Sequence, residues 1–68
     1  MDRFIVKSKL IHSIGYCSGV LEVEFRDGGL YEYWDVPPEV FHKLTLAKSV
    51  GAYFTQSVKS QYPYTKVR

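Results

Sequence analysis

A second cysteine is missing from this chain of 68 residues, so Cys17 has no partner for an intrachain disulfide. With one cysteine and two separated histidines, the donor set also falls short of a structural zinc site, and no metal is expected. Long apolar runs are missing too. The stretch from Met1 to Lys7 holds three consecutive apolar residues, Phe4 to Val6, too few for a signal peptide or a membrane anchor. A cytoplasmic domain without disulfides or membrane contact is the expectation. There is no phosphate loop, no nucleophile elbow and no spaced pair of catalytic carboxylates, which argues against an enzyme and against a cofactor. Acids are missing from Val40 onward: none follows Glu39.

What is present is aromatic. Six Tyr, four Phe and one Trp, in a chain that is 46% hydrophobic, are too apolar for intrinsic disorder. A chain of this size buries only about 60% of its unfolded surface, so its core must be dense and large rings are an economical way to fill it. A marginal monomer and a homodimer that buries more apolar area are both compatible with the length.

The chain turns on the stretch from Val20 to Pro38. Leu21, Val23 and Phe25 alternate with Glu22 and Glu24, as in a strand with one face buried. Asp27-Gly28-Gly29 is a hairpin turn, and Leu30-Tyr31-Glu32-Tyr33-Trp34 a second strand. Loop length sets the register. A two-residue loop puts Glu32 on the face of Val23, whereas a three-residue loop with a glycine bulge puts Tyr31 and Tyr33 there and sends Glu22, Glu24 and Glu32 outward. The bulged loop is preferred. It leaves Leu30 and Trp34 on the outer face among acids.

On either side the reading is simpler. Residues 1–8 are a tail or an edge strand, and residues 9–68 form one domain. Leu10, His12, Ile14 and Tyr16 alternate with Ile11, Ser13 and Gly15 as a strand, with Gly15 placed for a bulge, and Cys17-Ser18-Gly19 is the turn after it. His12 is a candidate general base. No sequence pattern sets a nucleophile or carboxylate beside it, so a packed or edge histidine is the expected role. Cys17, in a turn, is expected to be inert. Pro37-Pro38 and Glu39 suit the first turn of a helix whose stripe is Val40, Phe41, Leu44 and Ala47. Ser49 is placed to cap a second helix carrying Val50, Tyr53, Phe54 and Val58, with Lys59 in its last turn and Gly51 allowing close helix packing. Pro63 ends it, leaving Thr65 to Arg68 as a basic end. The expected fold is α+β: a three-stranded antiparallel meander followed by two short helices packed on one sheet face.

These residues also carry a resemblance. Ile14-Gly15-Tyr16, the Leu21, Val23, Phe25 alternation, Gly28-Gly29, Tyr31-Glu32-Tyr33, Val36-Pro37, Ala47, Ser49, Gly51, Tyr53-Phe54 and Tyr62-Pro63 resemble the KTSC domain in order and spacing. That domain occurs at the C-terminus of some lysyl-tRNA synthetases and as small solitary proteins. Cys17 departs from the pattern, which has an acidic turn residue there, and the first eight residues lie outside it. The resemblance implies no activity, and it implies nucleic-acid binding only through the synthetase context.

Two functions follow as expectations. One is a non-catalytic module that binds RNA or other single-stranded nucleic acid through Lys43, Lys48, Lys59, Lys66 and Arg68, with Tyr62 or Tyr64 stacking on a base. It rests on the charge asymmetry: six acids and one base between Glu22 and Glu39, then five bases and no acid. The same asymmetry also suits a merely solvated surface. The other is a protein-interaction module, a homodimer or a small phage or mobile-element protein acting on a host complex, docking through an exposed Leu30 and Trp34. In both, Tyr31 and Tyr33 are core residues, because the preferred register turns them under the helices.

Overall fold

The computed structural model describes residues 3–68. One antiparallel sheet carries its strands in chain order: β1 (Arg3–Ile5), β2 (Ile11–Cys17), β3 (Val20–Phe25), β4 (Leu30–Tyr33) and β5 (Tyr64–Lys66). Two helices, α1 (Pro38–Leu46) and α2 (Val50–Ser57), lie in the chain between β4 and β5. The α+β class with two helices on an antiparallel sheet is as expected. The sheet is wider than the three strands read from the sequence, because short segments at both ends of the chain add an edge strand each.

The hairpin register is the bulged one. The Phe25 amide donates to the Gly29 carbonyl (2.8 Å) and the Gly28 amide to the Phe25 carbonyl (3.0 Å), closing a loop of Arg26, Asp27 and Gly28. Gly28 has φ +97°, a left-handed conformation that glycine adopts without a Cβ penalty. Val23 consequently faces Tyr31, and Leu21 faces Tyr33. The β2–β3 turn is tighter: Ser18 and Gly19 both have positive φ, the pairing that suits the twist of a two-residue hairpin.

In β2 the bulge sits at His12, not at Gly15. Ile11 pairs with Phe25 and Ser13 with Glu24, so His12 is the extra residue. The irregularity lets Ile11 and Ile14, three apart, both turn inward and become fully buried. The strict alternation that placed Leu10 and His12 with Ile14 therefore fails, and Leu10 is exposed. The core joins Ile11, Ile14, Leu21, Val23 and Tyr33 of the sheet to Val36, Leu44, Val50, Phe54 and Val58 of the helical segment.

The helices begin where the sequence indicates. Pro37 and Pro38 open α1, whose Leu44 is buried while Phe41 stacks on Tyr16 with ring centroids 5.0 Å apart. The Val36 amide donates to the Gly19 carbonyl (2.9 Å), and the Tyr16 hydroxyl donates to the Val36 carbonyl (2.6 Å), pinning the passage from sheet to helix. Ser49 caps α2, its Oγ accepting from the Ala52 amide at 3.2 Å. Lys59 lies just past the end of α2, not in its last turn, because Val58 is already the cap residue. Gly51 makes room for the β1–β2 connection, not for α1: a Cβ there would stand 3.1 Å from Ser8 Oγ and 3.6 Å from Leu10 Cβ.

Strand β5 changes the surface most. It pairs Tyr31 with Lys66, Glu32 with Thr65 and Tyr33 with Tyr64, making β4 an interior strand. Beyond it, the Leu30 amide donates to the Arg68 carbonyl (3.1 Å) and the Val67 amide to the Leu30 carbonyl (2.7 Å). Leu30 is thus buried and offers no docking surface, contrary to the exposed pair expected. Trp34 is exposed, with its indole N–H donating to Thr65 Oγ1 at 3.3 Å.

Candidate functional site

Phe54 of α2 meets the sheet edge-on at Tyr33 (5.3 Å) and Phe25 (5.5 Å). Beside it a cleft of about 650 Å³ opens, floored by Phe25, Tyr31, Tyr33, Phe54 and Tyr64. Pairing across β4 and β5 explains the cluster, since residues opposite one another in a ladder present their side chains on the same face. Tyr31 lies edge-on to Phe25 (5.3 Å between centroids) and nearly parallel to Tyr33 (6.4 Å). Tyr64 is 5.6 Å from Tyr31 and 5.5 Å from Tyr33.

The two tyrosines of the Tyr-x-Tyr pair are not equivalent. Tyr33 is 3% exposed and packs edge-on against Phe54 at 5.3 Å, as a core residue does. Tyr31 is half-buried and forms part of the cleft floor, so the expectation that both lie under the helices holds only for Tyr33. Tyr64, 57% exposed, leaves much of its ring open to solvent.

Burial pushes the Tyr33 phenol from 10.0 up to about 12, with Tyr31 and Tyr64 adding to the shift. A group whose folded pKa is raised contributes stability that is complete below its unfolded pKa and lost as the pH rises through the folded one. Thermal stability is therefore expected to fall between pH 10 and pH 12 more steeply in the parent than in Tyr33→Phe, which has no phenol to ionise at that position. Lysines deprotonate in the same range in both proteins. Melting curves of the pair across that range check the expectation, and coincident pH profiles would contradict it.

Basic residues border the cleft. Lys59 follows α2, and Lys66 of β5 holds its Nζ 5.9 Å from the centre of the Tyr31 ring, within reach of a cation–π contact. Arg68 also lines the cleft, but its guanidinium is engaged by Glu24 (2.9 Å) and donates to the Gly28 carbonyl (3.2 Å), so it fastens the β5 segment. The one acid on the lining, Asp27, accepts from the Gly29 amide at 2.9 Å.

The structure thus brings together Lys59, Lys66, Arg68 and Tyr64 of the expected residues. Lys48 lines a neighbouring cleft, and Lys43 on α1 lines neither. Tyr62 packs against the core and lines neither. Sequence reasoning missed Phe25 and Tyr31 as surface-forming residues. Tyr64-Thr65-Lys66, three exposed residues, is too short for its alternation to mark a strand, so no sequence signal set it beside β4.

The opposite sheet face is acidic, and two of its three glutamates are paired. Glu22 pairs with Arg3, and Glu24 accepts from Ser13 Oγ (3.2 Å) as well as from Arg68. His12 Nδ1 stands 3.6 Å from Glu24 Oε1, but Ser13 gives its hydroxyl to the carboxylate and not to the imidazole, so no nucleophile–base pair is formed. Among the described residues no group of three or more His, Cys, Asp or Glu could hold a metal ion, and no helix is long and apolar enough to cross a membrane.

Comparison with known proteins places these features in a family context. The profile of the KTSC domain matches residues 7–62. An uncharacterized protein of Stutzerimonas stutzeri is 43% identical over 70 residues, covering 98% of this chain and 99% of that protein. A lysine–tRNA ligase of a Nostoc species is 40% identical over 47 residues, which make up 69% of this chain and 8% of the ligase. The crystal structure of a KTSC domain protein from Yersinia pestis superposes with a TM-score of 0.93 at 33% identity, covering 98% of this chain and 97% of that one.

Proposed function

This chain belongs to the KTSC domain family, and from its cleft we propose that it is a binding module, without a catalytic step, for single-stranded RNA. The observation that carries the reading is the aromatic floor of Phe25, Tyr31 and Tyr64 with Lys59 and Lys66 at its border. An exposed ring accepts an unstacked base on its face, and an ammonium beside it meets the phosphate of the same nucleotide. Similarity to a short part of a lysine–tRNA ligase favours RNA as the strand. Glu22 and Glu24, which would repel phosphate, lie outside the lining of the cleft and are paired with Arg3 and Arg68.

Docking of a protein on Leu30 and Trp34 has less to support it, because Leu30 is buried and Trp34 is left as a single ring.

Fluorescence anisotropy with a labelled, unstructured RNA of about ten nucleotides tests the proposal. Each neutralised phosphate of a single strand contributes about −0.7 to the slope of log K against log salt. Lys59 and Lys66 alone therefore give a slope of about −1.4, or a roughly sevenfold loss of affinity between about 50 and 200 mM salt. No binding at the lower salt, or binding indifferent to salt, would overturn the proposal.

A further inference from the structure

A second cleft adjoins the aromatic one, with Leu10 and Thr55 on the lining of both. The second cleft is lined by Lys7, Lys9 and Lys48. These three lysines come from two segments distant in sequence, and the packing that unites them is specific. Gly51 lets the β1–β2 connection lie directly on α2, with Ser8 Oγ and Leu10 Cβ 3.1 and 3.6 Å from where its Cβ would be. Ser8 is held there by accepting from the Leu10 amide (3.1 Å) and the Ile11 amide (3.2 Å). Its neighbours Lys7 and Lys9 are both exposed, as is Lys48 on the other bank.

Lys7, Lys9 and Lys48 line the second cleft, Leu10 and Thr55 line both, and Lys59 and Lys66 line the first with Tyr31 and Tyr64. Lys48 precedes α2 and Lys59 follows it, and the eight residues between Val50 and Ser57 rise about 12 Å, so the two clefts together are longer than one nucleotide needs. Five of the chain's lysines line the two clefts, against one acid among the described lining residues, Asp27, which accepts from the Gly29 amide. Leu10, 45% exposed at the midpoint, interrupts the charge with an apolar surface of the kind a base or ribose covers.

We infer that the site is a track for a multi-nucleotide single strand, with one base stacked in the aromatic cleft and the adjoining phosphates led across Leu10 and Thr55 to Lys7, Lys9 and Lys48. The inference rests on the RNA-binding reading above and extends it from one nucleotide pocket to a strand with a defined path. Ammonium groups on both clefts suit successive phosphates, and the aromatic platform of the first suits a base of the same strand. An acidic peptide would satisfy the lysines but leave the aromatic platform without a partner.

The test compares the parent with the triple variant Lys7→Gln/Lys9→Gln/Lys48→Gln, whose three positions are exposed and outside the core. Two labelled probes are used, an oligouridylate of about ten nucleotides and the dinucleotide UpU. The variant is expected to melt with the parent and to bind the dinucleotide as the parent does. For the long probe its salt slope should be less steep by about 2, three phosphates at about 0.7 each. If the parent binds both probes and the variant keeps the parent's slope on the long one, the track is overturned while the aromatic pocket stands. If the parent binds neither probe, the RNA reading itself fails and the track with it. Equal parental affinity for a polyglutamate peptide of the same charge would also overturn it, since the aromatic platform would then add nothing.

Discussion

Tyr33→Ala is expected to unfold the domain or to lower its melting temperature by many degrees. The ring is 3% exposed, sits edge-on to Phe54 and faces Leu21 across the β3–β4 ladder, so its removal opens a cavity in the middle of the core. Truncating a buried aromatic typically costs about 3 to 5 kcal/mol, from lost burial and from a cavity that closes only in part. A chain of this length has roughly 3 to 10 kcal/mol of stability in all. The loss is thus comparable with the total. No hydrogen bond of the Tyr33 hydroxyl is found among the described residues, so Tyr33→Phe should stay within about 1 kcal/mol of the parent. A thermal melt of the three proteins decides: a folded Tyr33→Ala with near-parental stability would show that the residue is not part of the core.

That prediction was legible in the sequence because hairpin parity is a local rule. Asp27-Gly28-Gly29 supplied the glycine a bulged loop needs, and once the loop has three residues the faces of β3 and β4 are fixed with no knowledge of the rest. The helix starts were legible for the same reason: Pro37-Pro38 and Ser49 act on their own first turns. The bulge at His12 was not legible, because a bulge is chosen by what it buries. Only the finished core shows that bringing Ile11 inward is worth an interrupted ladder.

Strand β5 was hidden by its length. Three residues after a proline carry almost no periodic signal, and their pairing satisfies the amides and carbonyls of a strand some thirty residues earlier. Missing β5 had two consequences with one cause. With β4 taken as the edge, Leu30 is read as exposed, and Tyr64 and Lys66 are read as parts of a loose basic end. Once β5 is in place Leu30 becomes interior, and the Tyr-x-Tyr pair divides into a core residue and a surface one. The convergence of Lys7, Lys9, Lys48, Lys59 and Lys66 was equally out of reach, since it depends on the β1–β2 connection lying across Gly51.

The division of the tyrosines makes the affinity experiment sharp. Tyr64→Ala is expected to stay folded, because the ring is 57% exposed and belongs to a three-residue edge strand, outside the buried cluster. Its binding of a single-stranded RNA should nevertheless drop steeply. Stacking of one base on an aromatic ring is worth about 1 to 3 kcal/mol by alanine substitution, which is roughly 5- to 150-fold in affinity. Tyr31→Ala should lose a similar amount but also some stability, since its half-buried ring supports Phe25, Tyr33 and Tyr64. Neither change removes a cation, so the salt slope should keep the parental value while the whole line moves to weaker binding. Lys66→Gln is the converse: the slope becomes shallower by about 0.7, with a smaller loss at high salt, where charge is screened. Measuring both lines separates stacking from charge. A Tyr64→Ala protein that melts like the parent and binds RNA as tightly would remove the aromatic floor from the site and leave only a basic surface.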